Sequence, residues 1–238
     1  MGDARSARAV DDFNRAISYS HGIGVVQDWK KAVRFYRRAA DAGLDAAQCN
    51  LGVCYENGDG VPQDWMEAAR YYRMAADQGF AEAQRNLATC YEMGRGMPQD
   101  FVEAAFYYLR AAEQGHAAGQ FGIGVCYQFG KGVTQDEAEA VRYYERAAEQ
   151  GHVDAQINLG CCFQHGDGVA QDVMAGVRYY RMAAEQGHAN AQHNLAICYE
   201  RGEGVSASLG GERGRDGRRP RGRAAHWARG VGREPDGK

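Results

Sequence analysis

Proline and long apolar runs are both scarce in this chain of 238 residues. Only four prolines occur, which excludes a proline-rich spacer. No run approaches the roughly 18 consecutive apolar residues of a membrane-spanning helix, and the polar start of the chain lacks the apolar core of a signal peptide. We therefore expect a protein with no membrane span and no classical secretion signal.

Positive charge is scarce over most of the sequence. Residues 1–205 carry 19 Lys and Arg against 27 Asp and Glu, whereas residues 206–238 carry nine against four. Because nucleic-acid grooves bind largely through Lys and Arg that neutralise phosphates, the acidic body argues against a nucleic-acid partner. The basic final segment leaves a weaker alternative, which is association with RNA. Such binding should weaken with salt and be lost when residues 206–238 are deleted.

Glycine, in contrast, is abundant, and it recurs at a fixed spacing of 36 residues. One such column is Gly22, Gly58, Gly94, Gly130, Gly166 and Gly202. The same spacing relates a set of glutamines, Gln48, Gln84, Gln120, Gln156 and Gln192. A fixed period of roughly 20 to 50 residues is the signature of repeat architectures, so the sequence predicts an array of similar units.

Each unit opens with one helical pattern. In the second unit, apolar residues from Ala47 to Tyr55 recur at steps of three and four, which is the spacing of one helix face. This spacing predicts a helix, called helix A, over about 46–57. Gly58 is placed to close it as a left-handed cap.

A second helical pattern follows in each unit. Asp64 is placed to accept hydrogen bonds from the free N–H groups of a new helix, with Glu67 three residues later as in a capping box. This predicts a helix B over about 65–78. Helices of roughly 12 and 14 residues are too short to be stable alone in water, so their apolar faces must be buried against neighbouring units.

Stacked helical pairs of this kind form an all-α solenoid, predicted to span residues 9–205 with about five helical pairs and a half. Residues 1–8 are expected to be disordered, and residues 9–20 to form a polar capping helix. Residues 206–238 are rich in Gly and Arg and contain too few Leu, Ile, Val and Phe to bury a core, so this tail is also expected to be disordered. Because the helix-B pattern is missing after Val205, we hypothesise that the array was once longer and that its end is truncated or misread.

The unit resembles a known repeat. In the second unit the motif reads Ala47, Leu51, Gly52, Tyr55, Gly58, Gly60, Val61, Asp64, Ala68, Tyr71, Tyr72, Ala75, Ala76 and Gly79. This resembles the Sel-1-like repeat, a relative of the tetratricopeptide repeat. The resemblance implies a right-handed α-solenoid that binds proteins or peptides and scaffolds complexes, with no chemistry of its own. Some cysteine-rich relatives are described as β-lactamase-like, so a hydrolase is the alternative by family analogy.

Cysteines and histidines also fall into columns. Most of the cysteines share one position of helix A: Cys54, Cys90, Cys126, Cys162 and Cys198. Successive units lie about 10 Å apart, which is too far for a disulfide or a shared zinc ion. We therefore predict core packing, no metal, no cofactor and, since unpaired thiols favour a reducing compartment, a cytoplasmic location. A packing role is also predicted for the histidine column, where earlier units carry Leu and Phe: His116, His152 and His188.

Columns that vary between units mark the free surface. On helix A they follow one another at steps of four residues, so they share a face distinct from the fixed columns. By resemblance helix A lines the concave side, and we predict that a protein or peptide partner binds there to Arg85, Thr89, Met93, Phe121, Val125, Phe129, Ile157, His165, His193 and Arg201. The alternative is that the next unit covers part of this face, because its middle position is mostly β-branched and apolar.

Asparagine forms a further column, Asn50, Asn86, Asn158 and Asn194. These amides either form an inter-unit hydrogen-bond ladder or hold a peptide backbone, and the ladder is favoured because polar groups near a core require partners. No combination of serine, histidine and acid suggests a catalytic site. The sequence as a whole predicts a monomeric, non-enzymatic interaction scaffold or adaptor.

Overall fold

The computed structural model describes residues 2–203. Within that range the secondary structure is helical, without strands, and comprises α1 (Gly2–His21), α2 (Trp29–Asp41), α3 (Asp45–Asn57), α4 (Trp65–Asp77), α5 (Ala81–Met93), α6 (Phe101–Glu113), α7 (Ala117–Phe129), α8 (Glu137–Glu149), α9 (Val153–His165), α10 (Val173–Glu185) and α11 (Ala189–Glu200). Odd-numbered helices are the helices A and even-numbered helices the helices B of successive units. The predicted all-α repeat fold is confirmed, while the predicted disorder of residues 206–238 lies outside the described residues.

Helix boundaries match the prediction in the second unit but not at the start of the chain. Both α3 and α4 begin and end within one residue of the predicted positions. Residues 2–8, which we expected to be disordered, instead form the first turns of α1. Their Ala and Arg residues have high helix propensity, and extending a nucleated helix costs little. Ala9 and Asp12 anchor this helix, since both are buried and Asp12 pairs with Arg38 of α2 at 3.0 Å.

The turn inside each unit depends on two glycines. Gly58 closes α3 with φ of 80°, in the left-handed region that favours glycine. Gly60 has φ of 73°, and a Cβ atom there would lie 2.4 Å from the carbonyl oxygen of Trp29 in the preceding helix B. The loop therefore packs directly against the backbone of the previous unit. This close contact requires a residue without a side chain.

An aspartate caps the start of each of α2, α4, α6, α8 and α10. Asp64 accepts from the backbone N–H groups of Met66 and Glu67 at 2.9 and 3.1 Å, which confirms the predicted cap. The reciprocal half of the predicted capping box is not used, because the Asp64 N–H donates to the Tyr55 carbonyl oxygen at 2.9 Å. Glu67 is left to pair with Arg70 at 2.7 Å.

Tyrosines fill the space between the two helices of a unit. The buried Tyr72 ring lies against Gly52, where a Cβ atom would be only 2.6 Å from it. The Tyr72 hydroxyl donates to Glu56. Beside this pair, the rings of Tyr55 and Tyr71 stack with centroids 5.7 Å apart. Helix B thus fits one face of its own helix A through a large side chain opposite a small one.

A ladder of glutamines joins successive units. The Gln84 amide donates to the Ala76 carbonyl oxygen of the preceding helix B at 3.2 Å, and its oxygen accepts from Gln114 at 2.7 Å. Gln48, Gln120 and Gln156 repeat both contacts. Each glutamine amide thus donates to a backbone carbonyl group near the end of one helix B, where such groups need donors, and its oxygen accepts from the side chain that caps the next helix B. Asparagines, for which we predicted a ladder, also bond between units: Asn86 donates to the Cys49 sulfur of the preceding helix A at 3.7 Å, and Asn50 bonds to Tyr36 of the preceding helix B.

Candidate interaction surface

The predicted partner-binding residues lie on helices A of four successive units. We call them the helix-A stripe: Arg85, Thr89 and Met93 on α5, Phe121, Val125 and Phe129 on α7, Ile157 and His165 on α9, and His193 on α11 with Arg201 as its C-cap. Helices α5 and α7 contact each other, and no two helices B make contact as extensive.

The stripe is most exposed where each helix A ends. Met93 is 38% exposed and Phe129 is 49% exposed, and His165 and Arg201 at the equivalent positions are exposed as well. We call these four residues the outer row. Two of its members, Met93 and Phe129, are large apolar side chains exposed to water on helices that contact each other.

The start of the stripe takes part in packing between units. The Phe121 ring stacks on the His152 ring with centroids 4.7 Å apart and lies 5.8 Å from the Tyr144 ring. Ile157 and Val125 are half-buried against core clusters. The alternative that the next unit covers part of this face is therefore supported at Phe121, whose partner His152 caps the helix A of the next unit. Cys49, which holds the position of Arg85 one unit earlier, is 0% exposed.

Polar groups of the stripe are largely bound within the molecule. Thr89 donates to the Arg85 carbonyl oxygen at 3.1 Å and lies 3.1 Å from the Tyr108 hydroxyl. The Nε atom of Arg85 is buried without a hydrogen-bond partner. Burial, and then the charge of Arg85, lowers the pKa of His116 below its usual value. The lowered pKa favours the neutral form of this imidazole at neutral pH.

The repeat unit seen in the structure matches a known family over most of the chain. The Sel1 repeat matches residues 13–44, 45–80, 81–116, 117–152, 153–188 and 189–210. The chain belongs to the Sel1 repeat family. Sel1 repeat proteins generally mediate protein–protein interactions, and the repeat is typically non-catalytic. The curated proteins offer no match to the sequence.

Solved Sel1 repeat structures resemble this chain closely. A Sel1 repeat protein from Oxalobacter formigenes is 32% identical with a TM-score of 0.78, and the match covers 87% of this chain and 82% of that one. The c5321 protective antigen of uropathogenic Escherichia coli strains is 35% identical with a TM-score of 0.76, covering 82% of this chain and 42% of that one. This chain thus spans less than half of the antigen. Immunity protein PA5088 from Pseudomonas aeruginosa, 23% identical with a TM-score of 0.51 over 78% of this chain and 68% of that one, shows the shared fold alone.

Histidines of the column His116, His152 and His188 precede helices A of the Sel1 repeats, and two of them form a hydrogen bond that the sequence analysis did not predict. His116 begins α7 and its Nδ1 atom accepts from the backbone N–H of Gly119 at 3.2 Å. His152 does the same for α9 with Ala155 at 3.4 Å. The predicted packing role is thus incomplete, because these residues are helix caps as well. His188 lies at the equivalent position of α11, but its buried Nδ1 atom has no hydrogen-bond partner.

The cysteine column is buried in the core of the Sel1 repeats, as predicted. All seven cysteines are free thiols, and Cys90 is 2% exposed. Burial, and then the charge of Glu56, raises the pKa of Cys90 to about 12, so the thiol stays protonated and is a poor nucleophile. Among the described side chains, no three His, Cys, Asp or Glu residues are arranged to hold a metal ion. No helix in residues 2–203 has the length and apolar character needed to cross a membrane.

The structure shows a second exposed apolar surface that was not predicted from the sequence. It lies on α4, α6 and α10, and we call it the outer helix-B face. It consists of exposed apolar side chains four or eight residues apart: Met66 and Met74, Val102 and Phe106, and Met174 and Met182. Phe106 is 49% exposed, as much as Phe129 of the stripe. The same comparison of variable columns that found the stripe on helix A would have found this surface on helix B.

Proposed function

We propose that this chain is a non-enzymatic scaffold that holds a segment of a partner protein against the helix-A stripe. The observation that carries the proposal is the outer row, where Met93 and Phe129 are exposed on adjacent helices. Placing the stripe on the concave side follows the resemblance to other Sel1 repeats, and the direct contact between α5 and α7 is in keeping with it. A groove of this kind suits an extended or helical segment that inserts apolar side chains at regular intervals.

The outer row combines apolar side chains with one arginine, which suits an amphipathic partner segment. Met93 and Phe129 can receive apolar side chains, while Arg201 at the far end of the row is exposed and can pair with a carboxylate. Surface ion pairs contribute little to affinity but select among partners. The partner segment is therefore expected to combine apolar anchors with a polar face. Its net charge should be basic or neutral, because residues 1–205 carry 27 Asp and Glu against 19 Lys and Arg.

The hydrolase alternative rests on family analogy, and no observation on the described residues favours it. The buried thiols are protonated near neutral pH, and the buried tyrosines are engaged by acceptors such as Glu92, which accepts from Tyr108 at 2.9 Å. A chromogenic β-lactam that the purified chain opens would support that alternative. The monomeric state and the cytoplasmic location stay predictions, which sedimentation velocity and fractionation can test.

The proposal can be tested with a matched pair of phenylalanine variants. Phe129 of the stripe and Phe106 of the outer helix-B face are equally exposed, so replacing either with alanine removes the same apolar area. Tagged wild-type, Phe129→Ala and Phe106→Ala chains would be used to capture partners from a lysate for quantitative mass spectrometry. We expect Phe129→Ala to weaken capture of a specific partner about tenfold, an effect typical of a binding hot spot, and Phe106→Ala to preserve it.

Phe121 is a poorer test position because its ring also packs on His152, so its loss would disturb folding. Circular dichroism and thermal unfolding should show that the Phe129→Ala and Phe106→Ala chains are equally folded. If capture depends on Phe106 and not on Phe129, the partner binds the helix-B face and the proposal is wrong.

A further inference from the structure

The last helix, α11, has a face that no described residue covers. Each of α3, α5, α7 and α9 lies between two helices B, the one of the preceding unit and the one of its own. Helix α11 packs against α10, and no described helix follows it. Its other long side therefore has no neighbour among residues 2–203, and we call it the open face.

Four residues form this open face, and all are exposed: Gln192, Ala196, Tyr199 and Glu200. Tyr199 is 42% exposed. At the position of Gln192, the earlier residues Gln48, Gln84, Gln120 and Gln156 are all buried. The positions of Ala196 are buried in the same units: Gly52, Ala88, Gly124 and Gly160. On the earlier helices A this face packs against a helix B, whereas on α11 no described helix contacts it.

The structure records what covers this face elsewhere. On α3, one helix B supplies the Tyr72 ring against Gly52 and the Tyr71 ring stacked 5.7 Å from that of Tyr55. The Tyr72 hydroxyl also donates to Glu56.

The same helix supplies a fourth contact through the amide of Gln78. That amide donates to the Gln48 oxygen at 2.7 Å, across the two helices. The four receiving positions correspond to the four exposed residues of α11. Two tyrosines and one glutamine therefore define the chemistry of the complementary helix.

Residues 204–238 contain neither tyrosine nor glutamine, so they cannot supply these contacts. We propose that the open face of α11 binds a helix of another protein that carries the helix-B pattern Ala-x-x-Tyr-Tyr-x-x-Ala-Ala-x-Gln. Such a helix would continue the array across two chains, through the interface that already repeats within this one. The proposal concerns a different surface from the helix-A stripe and does not depend on it.

The substitution of alanine for glycine on this face is compatible with the proposal. Ala88 of α5 holds the same position as Ala196 and is 0% exposed, so the interface between helices A and B accepts a methyl group there. A larger side chain would occupy the space of the incoming tyrosine ring. At Gly52 that ring already comes within 2.6 Å of the Cβ position.

The test uses a fluorescent peptide with the sequence of residues 62–79, which spans α4 and its cap, added to the full chain. Fluorescence anisotropy would give the affinity. We expect saturable binding that falls about tenfold with the peptide variant Tyr72→Ala and about tenfold with the protein variant Ala196→Leu. The control is Asn190→Leu, an exposed residue on the same helix outside the open face, and it should bind as wild type does.

Three results would overturn the proposal. The first is that the peptide does not bind the full chain even at concentrations that would saturate a typical hot-spot interaction. The second is an equal loss of binding in Ala196→Leu and Asn190→Leu. The third is a concentration-dependent dimer in sedimentation velocity that Ala196→Leu abolishes and that excludes the peptide, since the face would then belong to a second copy.

Discussion

Helices α3 and α11 share the pattern Ala-Gln-x-Asn-Leu-x-x-Cys-Tyr-Glu but differ in what surrounds them. Leu51 of α3 is 0% exposed, whereas the equivalent Leu195 of α11 is only partly buried. Gln48 is buried, whereas Gln192 is exposed. Because the side chains are the same, the difference comes from the helix B that packs on α3 and has no described counterpart on α11. Burial in this array is supplied by the neighbouring unit, which is why stability in repeat proteins depends on interfaces between units.

The largest expected difference concerns the core leucine. Leu87→Ala, in the middle of the array, should lower the free energy of unfolding by about 2–5 kcal/mol because it opens a cavity in a closed core. Leu195→Ala should cost about 1 kcal/mol, since part of that side chain is in contact with water already. Urea unfolding followed by circular dichroism gives both values. Equal costs would mean that the open face of α11 is covered in solution.

A smaller difference is expected for the glutamine ladder. Gln84→Ala removes a buried amide and leaves the Ala76 carbonyl oxygen and the Gln114 amide without their partner, which should cost about 1–3 kcal/mol. Gln192 is exposed and makes one long contact, 3.4 Å to the Ala184 carbonyl oxygen, so Gln192→Ala should cost about 0.5 kcal/mol. Thermal unfolding of the two variants beside wild type would measure the difference. A Gln84→Ala chain as stable as wild type would show that the ladder contributes nothing.

The local parts of the fold could be predicted because they depend on residues close together in sequence. The left-handed cap at Gly58 and the aspartate cap at Asp64 are formed within one turn of the helices they bound. The 36-residue period then fixes the order of the units. The start of α1 was not predicted because residues 2–8 are mostly polar, although their Ala and Arg residues favour a helix.

Roles that depend on two units could not be read from the sequence. The periodicity identifies Phe121 and Phe129 as members of one stripe, but only the structure shows Phe121 stacked on His152 and Phe129 in contact with water. The same limit applies to the glutamine and asparagine columns. Both repeat every 36 residues, and the sequence alone does not show which side chains reach another unit. Only the distance between units decides that Gln84 reaches its partners.

The smallest effect is expected from pH, and it concerns the middle units. His116 and His152 accept N–H groups at the starts of α7 and α9, and burial is the main cause that lowers the pKa of each below its usual value. A lowered folded pKa means that the unfolded chain binds more protons, so stability should fall as the pH drops below about 6.5, the ordinary value for histidine.

The matched variant for this pH effect is His116→Leu combined with His152→Phe, the residue types that earlier units carry as Leu44 and Phe80. It should lose less stability than wild type when the pH is lowered from neutral into the range below the histidine pKa. Parallel pH profiles from urea unfolding would contradict the assignment of these imidazoles as neutral helix caps. Steeper loss in wild type would show that the caps stabilise the middle units only while the rings stay unprotonated.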